Sequence, residues 1–380
     1  MNIIVTVNTF YPKLDGVQAV TEYLCLGLLN QGHNITVITP TVEGFPNEET
    51  YKNIKIFRVN VYTKYAIYHG NKKDYREFII ELSKKNDVIV NVCTQNALTD
   101  YLLPVLDKID CKKVLHIHGI YDFNWKKDDF CSIKSMIYKA WRNIKWGILY
   151  NTNKSNFKKY DAVMQLHKFD LGNIYFEKKY NIDSFILENS CDKNFAELDS
   201  IEKEKTCICV ANYNERKNQE FILKAFYGAS IPEDWKLVFI GSEKTSYYDK
   251  LVELDKSYSE KYGKKSVEFL YGVSRRDTIE KVKKSSIYLM GSKWEAFSIS
   301  IIESMAAKVP FISTNVGITR FLPGGVVVDD IKSMSYWIEL FVYNDIVRLD
   351  YGNIGHDYYI NRLAIDKKID ELNELLINLG

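Results

Sequence analysis

The sequence predicts an α/β protein built as two doubly wound domains, and three observations carry that reading. Short, nearly uninterrupted apolar runs alternate with helical patterns throughout. The alternation falls into two successive series. The length, 380 residues, suits two domains at roughly 100–200 residues each. In the first series, residues 3–7, 35–39, 88–92, 114–118 and 162–166 read as strands, with helical spacing between them, as at 17–30 and 97–109. The second series offers 207–210, 237–240, 267–270, 287–290 and 311–314, again with helices between. Runs that are apolar throughout, rather than alternating, belong to parallel sheets covered on both faces. The polar segment 188–205 loses any apolar period and marks the boundary. At the far end Leu363, Ile365, Ile369, Leu372, Leu375 and Leu376 recur at helical spacing, so 361–379 reads as one closing amphipathic helix.

Composition removes several classes. Hydrophobic and charged fractions of 46% and 26% exclude wholesale disorder. With 51 Lys and Arg against 49 Asp and Glu, the net charge of +2 gives no chain-wide reason for a nucleic-acid partner. No run reaches the ~18 apolar residues of a membrane-spanning helix. The opening residues lack the basic flank and length of a secretory signal. The seven Cys form no CxxC pair and no zinc-like cluster. Cys207 and Cys209 share one strand face roughly 6.6–7 Å apart, at or beyond disulfide reach. The expectation is a cytosolic protein with reduced thiols. Against only 7 Pro stand 27 Tyr, 19 Phe and 6 Trp, rings that either fill cores or coat a binding face.

Parallel sheets gather ligands beyond the carboxyl ends of their strands, and two such sheets facing each other form a cleft from both sets of loops. In the first loop, Thr9–Val17, Gly16 permits close backbone approach and the following helix offers amides to an anion. Asp15-Gly16 reads equally as a plain turn before a helix. His116 and His118 share a face of the strand at 114–118; His118 sits at the ligand rim and is the candidate, while His116 reads as a core residue. After the strand at 207–210, Arg216 and Lys217 place two cations in a strand-to-helix turn where phosphate binds, or where a solvated pair simply stands. The strongest local feature runs from Lys293 to Ala306. Backbone amides around Phe297, Ser298 and Ile299 open a helix, and Glu295 and Glu303 lie eight residues apart. Carboxylates accept paired hydrogen bonds from vicinal hydroxyls, which suits a sugar or ribose. Ser300-Ile301-Ile302-Glu303 also fits a capping box, which accounts for Glu303 and leaves Glu295 unexplained.

Together these motifs resemble the retaining GT-B glycosyltransferases of family 4. Tyr11-Pro12-x-x-Asp15-Gly16-Val17 is similar to that family's glycine loop, with Asp15 where a first Gly is usual. His118-Gly119 is similar to its His-Gly pair, and Asn189-Ser190-Cys191-Asp192 to the Asn-Gly-Val-Asp that follows its linker. Glu295 and Glu303 reproduce its E-x7-E signature inside a longer match over 292–317. The resemblance implies two facing Rossmann-like domains, 1–188 with 356–380 for the acceptor and 189–355 for the donor, the last helix crossing back to the first. It implies that Lys217 holds the donor diphosphate, with Asn212 standing where an arginine is usual and Arg216 as a partial substitute. Glu303 takes the ribose, Glu295 the transferred sugar, and His118 the same sugar from the other domain. Gly272 and Val273 flank the base, and the amides of Ala296, Phe297, Ser298 and Ile299 meet the donor near Gly16. His118, Lys217 and Glu295 form the reacting centre.

The implied reaction is retaining transfer from a nucleotide diphosphate sugar, a UDP-sugar first, with front-face attack assisted by the leaving phosphate. No cofactor and no metal are expected, since no Asp-x-Asp ends a strand. The acceptor is a saccharide or polyprenyl-linked saccharide of surface polysaccharide or glycolipid assembly. The alternative is a non-catalytic GT-B subunit that binds acceptor or supports a catalytic partner, suggested by Asn212 and the incomplete glycine loop. A nicotinamide dehydrogenase lacks G-x-G-x-x-G after either opening strand, and a nucleotide-sugar epimerase explains 292–317 less well.

One stretch stands apart. Between 126 and 159 nine basic residues face two acidic ones, interleaved with Trp125, Phe130, Trp141, Trp146 and Tyr150. Ile137, Trp141, Ile144 and Leu149 form a stripe at roughly helical spacing. Such a helix lies on an anionic membrane, each basic residue adding about 1 kcal/mol, or it covers the first sheet with bases outward and rings inward. The first alternative places the protein peripherally on the inner face of the cell membrane.

Overall fold

A computed structural model of the chain describes residues 1–13, 15–198 and 201–380. Leu14 of the first loop, and Asp199 and Ser200 of the expected boundary segment, lie outside the described residues, as do the side chains of Lys127 and Asp128. The chain divides into two compact units, Met1–Glu188 with Lys368–Gly380, and Asn189–Lys367.

The first unit is an α/β unit around an eight-stranded sheet of order β10-β9-β8-β7-β1-β2-β4-β3. Its strands are β1 (Asn2–Thr6), β2 (Asn34–Pro40), β3 (Glu48–Tyr51), β4 (Ile54–Val59), β7 (Val88–Val92), β8 (Lys112–Ile117), β9 (Ala162–Gln165) and β10 (Phe185–Ile186), with a separate hairpin of β5 (Val61–Lys64) and β6 (Ile67–Gly70). All pairings in the large sheet are parallel except the edge pair β3–β4. Its helices are α1 (Gly16–Asn30), α2 (Lys72–Ser83), α3 (Ala97–Asp100), α4 (Ile133–Thr152), α5 (Lys154–Phe157) and α6 (Leu171–Tyr180). The core joins Ile4, Ile89, Leu115 and Val163 of the sheet to Leu98, Leu103, Trp146, Tyr150 and Phe157. The apolar runs thus become central strands because helices exclude water from both faces.

The second unit repeats the design with an all-parallel sheet of order β13-β12-β11-β14-β15-β16. Its elements are β11 (Thr206–Val210), α7 (Gln219–Gly228), β12 (Lys236–Gly241), α8 (Ser246–Tyr262), β13 (Ser266–Tyr271), α9 (Arg275–Lys284), β14 (Ile287–Met290), α10 (Ile299–Ala306), β15 (Phe311–Thr314), β16 (Gly325–Val328), α11 (Ile331–Tyr343) and α12 (Asp345–Tyr358). Strand order reverses between β11 and β14, and in the first unit between β1 and β7. At such a switch point neighbouring loops diverge and leave a crevice.

Three expectations are corrected. The helix expected at 97–109 is α3 followed by a 3-10 stretch, Leu103–Lys108, because Pro104 supplies no amide to continue the α ladder. The closing helix expected at 361–379 starts later. A π turn, Tyr359–Leu363, follows α12, Ala364 is extended, and α13 runs Ile365–Leu379. Residues 356–367 stay with the second unit, where the His356 ring bonds the Ala306 carbonyl at 2.8 Å, and the first unit resumes at Lys368. There α13 lies on α1: Ile369 fills the space where a side chain at Gly27 would stand, and Gln31 and His33 bond Asp370 and Asn373.

The third correction concerns α4, which fits neither "bases out, rings in" nor the simple reverse. Trp146 and Tyr150 are buried, while Ile133, Ile137, Ile144 and Ile148 are exposed. Lys139 is buried against the Asp122 carbonyl at 2.7 Å, and Lys145 donates to the Ala66 carbonyl. Leu149, expected on the stripe, packs on the core instead. All seven cysteines are free thiols.

Candidate active site

In the second unit the site forms at the switch point. The turn after β11 carries Lys217, and the loop after the neighbouring β14 carries Glu295. Their side chains meet: Lys217 Nζ lies 2.5 Å from Glu295 Oε1, which also accepts from Ser292 Oγ at 2.8 Å. Lys217 and Glu295, 78 apart in sequence, are thus brought into direct contact.

The loop's shape is fixed from all sides. Asn218, in the left-handed region at φ 52°, donates from Nδ2 to the Gly291 carbonyl at 3.1 Å. Thr314 donates to the Ser292 carbonyl and Asn189 to that of Phe297, at 2.6 and 3.3 Å. Gly317, at φ 54°, passes so close that a Cβ there would stand 2.3 Å from the Ala296 carbonyl oxygen. These clamps were not legible beforehand, since each lies in a loop whose partner is remote in sequence.

Two helices start at this place, and both lack a side-chain cap. Neither Asn218 before α7 nor Ser298 before α10 caps through its side chain. By contrast α8, α9, α11 and α12 are capped by Thr245, Ser274, Asp330 and Asn344. In α7 the Glu220 amide meets the Tyr247 hydroxyl at 3.4 Å, whereas the capless start of α10, with the positive end of its dipole, favours an anion.

Glu303 lies one turn into α10 and is buried. The capping-box reading fails, because the helix begins at Ile299 and places Ser300 inside it. The Glu303 carboxylate instead takes the Arg275 guanidinium at 2.7 Å, from the first residue of α9. Burial pushes the carboxyl above its ordinary range and the guanidinium opposes the shift. Arg275 is the main site residue that sequence reasoning missed; only its place four residues beyond Tyr271 in the Tyr271-Gly272-Val273 turn pointed to it. Gly272 adopts φ 64° and its amide bonds the Gly241 and Ser242 carbonyls, while Val273 is half-buried. Arg216 turns to the Trp294 ring, 5.8 Å away, and Asn212 is exposed. Lys217 is therefore the one cation of that turn placed on Glu295.

The first-unit candidates are built differently. Asp15 Oδ1 accepts from the Gln18 amide at 2.7 Å, so α1 already carries a carboxylate cap beside Gly16. The buried Arg58 side chain holds the preceding loop through the Tyr11 carbonyl at 2.8 Å. His118 follows β8 with its Nε2 3.3 Å from His116 Nδ1, and burial lowers its pKa to about 4. It is a neutral imidazole at physiological pH, suited to hydrogen-bonding a hydroxyl. Among the described residues no three His, Cys, Asp or Glu side chains gather as a metal would require.

Residues 191–322 match the family model for glycosyl transferases group 1 and span the loop, Arg275 and both glutamates. That segment is similar to the group 1 glycosyl transferases and covers about a third of the chain. An uncharacterized glycosyltransferase of Methanocaldococcus jannaschii is 22% identical over 83% of this chain and 81% of its own. A GDP-Man:Man(3)GlcNAc(2)-PP-Dol alpha-1,2-mannosyltransferase of Neurospora crassa is 31% identical over 28% of this chain, a match spanning only a fifth (20%) of the mannosyltransferase. The solved structure of Anabaena HepE in complex with UDP superposes with a TM-score of 0.68 at 12% identity, covering 100% of both chains. The chain therefore has the GT-B fold. No helix among its described residues is long and apolar enough to cross a membrane.

Proposed function

We propose that the chain is a retaining, metal-independent glycosyltransferase that moves a sugar from a nucleoside diphosphate sugar, preferentially a UDP-sugar, to a saccharide or polyprenyl-linked saccharide in surface polysaccharide or glycolipid assembly. One observation carries the reading: the Lys217–Glu295 pair sits at the β11/β14 switch point, where α7 and α10 both start without a side-chain cap. Departure of a nucleoside diphosphate builds negative charge on the leaving oxygen as the anomeric bond breaks. A fixed ammonium and oriented amides stabilise that charge without reorganising, which is the work a divalent cation does elsewhere. Lys217 turns from Glu295 to the diphosphate, freeing Glu295 for the sugar's hydroxyls. Glu303 accepts the ribose hydroxyls, with Arg275 holding it ionised. Gly272 and Val273 line the base, and neutral His118 serves the transferred sugar. Retention rests on the family resemblance. The UDP preference is supported by the UDP complex of HepE, and the lipid-linked acceptor by the name of the Neurospora relative.

The test incubates the protein with UDP-, GDP- and ADP-sugars without added metal and follows release of the nucleoside diphosphate. UDP release that Glu303→Ala abolishes is the expected result. UDP binding with no turnover of any donor in the presence of a saccharide panel supports the non-catalytic alternative instead. Full activity in Glu303→Ala refutes the ribose assignment.

A further inference from the structure

The first unit carries an apolar surface that the donor site leaves unused. On α4, Ile133, Ile137, Ile144 and Ile148 are 77%, 65%, 64% and 58% exposed. With Trp141 they follow spacings of four, four, three and four residues, which draws one continuous ridge along the helix. The ridge extends onto the β5–β6 hairpin, tied to α4 by Lys145 Nζ on the Ala66 carbonyl. The hairpin turns through Tyr65 and Ala66, both left-handed at φ 51° and 58°, where a Gly or Asn is usual. A bulky ring held in that region, 78% exposed, is an uncommon and costly arrangement for a solvated loop tip. Ile67 beside it is exposed as well.

We infer that this ridge and hairpin tip form a docking surface for a bilayer bearing anionic headgroups. Charge selects that occupant. Neither 60–73 nor 130–160 contains a single Asp or Glu. Lys64, Lys134, Lys154 and Lys158 are exposed there and form no ion pair among the described residues. Of the other lysines and arginines, Lys139 and Lys145 point inward, Arg142 covers the Tyr121 ring at 4.5 Å, Lys159 pairs with Asp107, Lys72 lies over the Tyr101 ring at 5.6 Å, and Lys73 is 3.9 Å from Glu77. Isoleucines in the middle, Trp and Tyr beside them and unpaired lysines around make the pattern of an interfacial element, with the helix lying flat and its apolar side sunk to the acyl boundary. The composition alone suggested a basic helix; the structure instead assigns the main contact to isoleucines, with four lysines as the electrostatic part. This inference concerns the first unit only and stands whether or not the donor assignments hold.

The experiment sediments the full chain with vesicles of phosphatidylcholine, with or without about a third phosphatidylglycerol. Capture by the anionic vesicles is expected, with a blue shift of tryptophan emission as Trp141 leaves water. Ile137→Asp/Ile144→Asp is expected to cut the bound fraction at least ~10-fold with unchanged circular dichroism, since both sites are exposed. Lys64→Glu/Lys134→Glu is expected to weaken capture and make it no better than that by neutral vesicles. The inference is overturned if neither vesicle captures the chain, if both capture it equally, or if the isoleucine variant binds like the parent. It is also overturned if the isoleucine variant's only effect is to dissociate a lipid-free dimer, which assigns the ridge to a second copy.

Discussion

At the residue scale the proposed donor site is neutralised from within. Lys217 is held by Glu295 and Glu303 by Arg275, so each group proposed to bind donor already has a partner of opposite charge. Lys217→Ala should therefore lower turnover by about 10²–10³-fold, the loss typical of one preorganised group at a leaving anion, and initial rates under saturating UDP-sugar measure it. Arg275→Ala leaves a buried carboxylate whose pKa burial already raises. Its pKa climbs further, so UDP affinity should fall away on acidification at a higher pH than in the parent, as titration calorimetry across pH 5–8 would record. His118 has a folded pKa depressed to about 4 against 6.5 unfolded. The unfolded chain then takes up the proton first, so the stability owed to the neutral ring is intact above about pH 6.5 and is lost as pH falls toward 4. His118→Asn should flatten that part of the stability–pH curve in urea titrations.

At the element scale the loop from Ser292 to Ser298 works because neighbouring segments hold its carbonyls. Gly317→Ala should push the Ala296 carbonyl away and adds strain at φ 54°, so donor affinity should drop at least ~10-fold with a smaller loss of stability. Binding and melting measurements on the same variant separate the two. Elements buried on both faces were the legible ones: the strands at 88–92, 287–290 and 311–314 have the same limits in the structure as in the sequence reading. Edge elements were not. β3, Glu-Glu-Thr-Tyr, has no apolar face to announce it, and the β5–β6 turn lacks the glycine that marks a hairpin. In the site, Glu295 stood out because the capping box left it over. Arg275 did not, since its partner is 28 residues away and nothing local couples them. The orientation of α4 was beyond the sequence because its lysines and isoleucines fit either face until Lys139 and Lys145 are seen to bond inward carbonyls.

At the scale of the whole molecule, the first unit is assembled from two stretches separated by the entire second unit. Its last helix seals α1: Leu372 and Leu376 are buried, and Ile369 lies over Gly27. Ile369→Ala should cost about 2–4 kcal/mol, as for other buried aliphatic truncations, with the loss falling on the first unit's transition when urea unfolding is followed by domain-resolved hydrogen exchange. The arrangement has a consequence in time. A ribosome delivers 1–188 first, and α1 waits for 368–380 while the intervening residues are made, on the order of ten seconds or more at ~5–20 residues per second. Throughout that interval the groove at Gly27 is open and apolar. The nascent chain is thus exposed to the wrong partners at a place that the finished protein covers with Ile369.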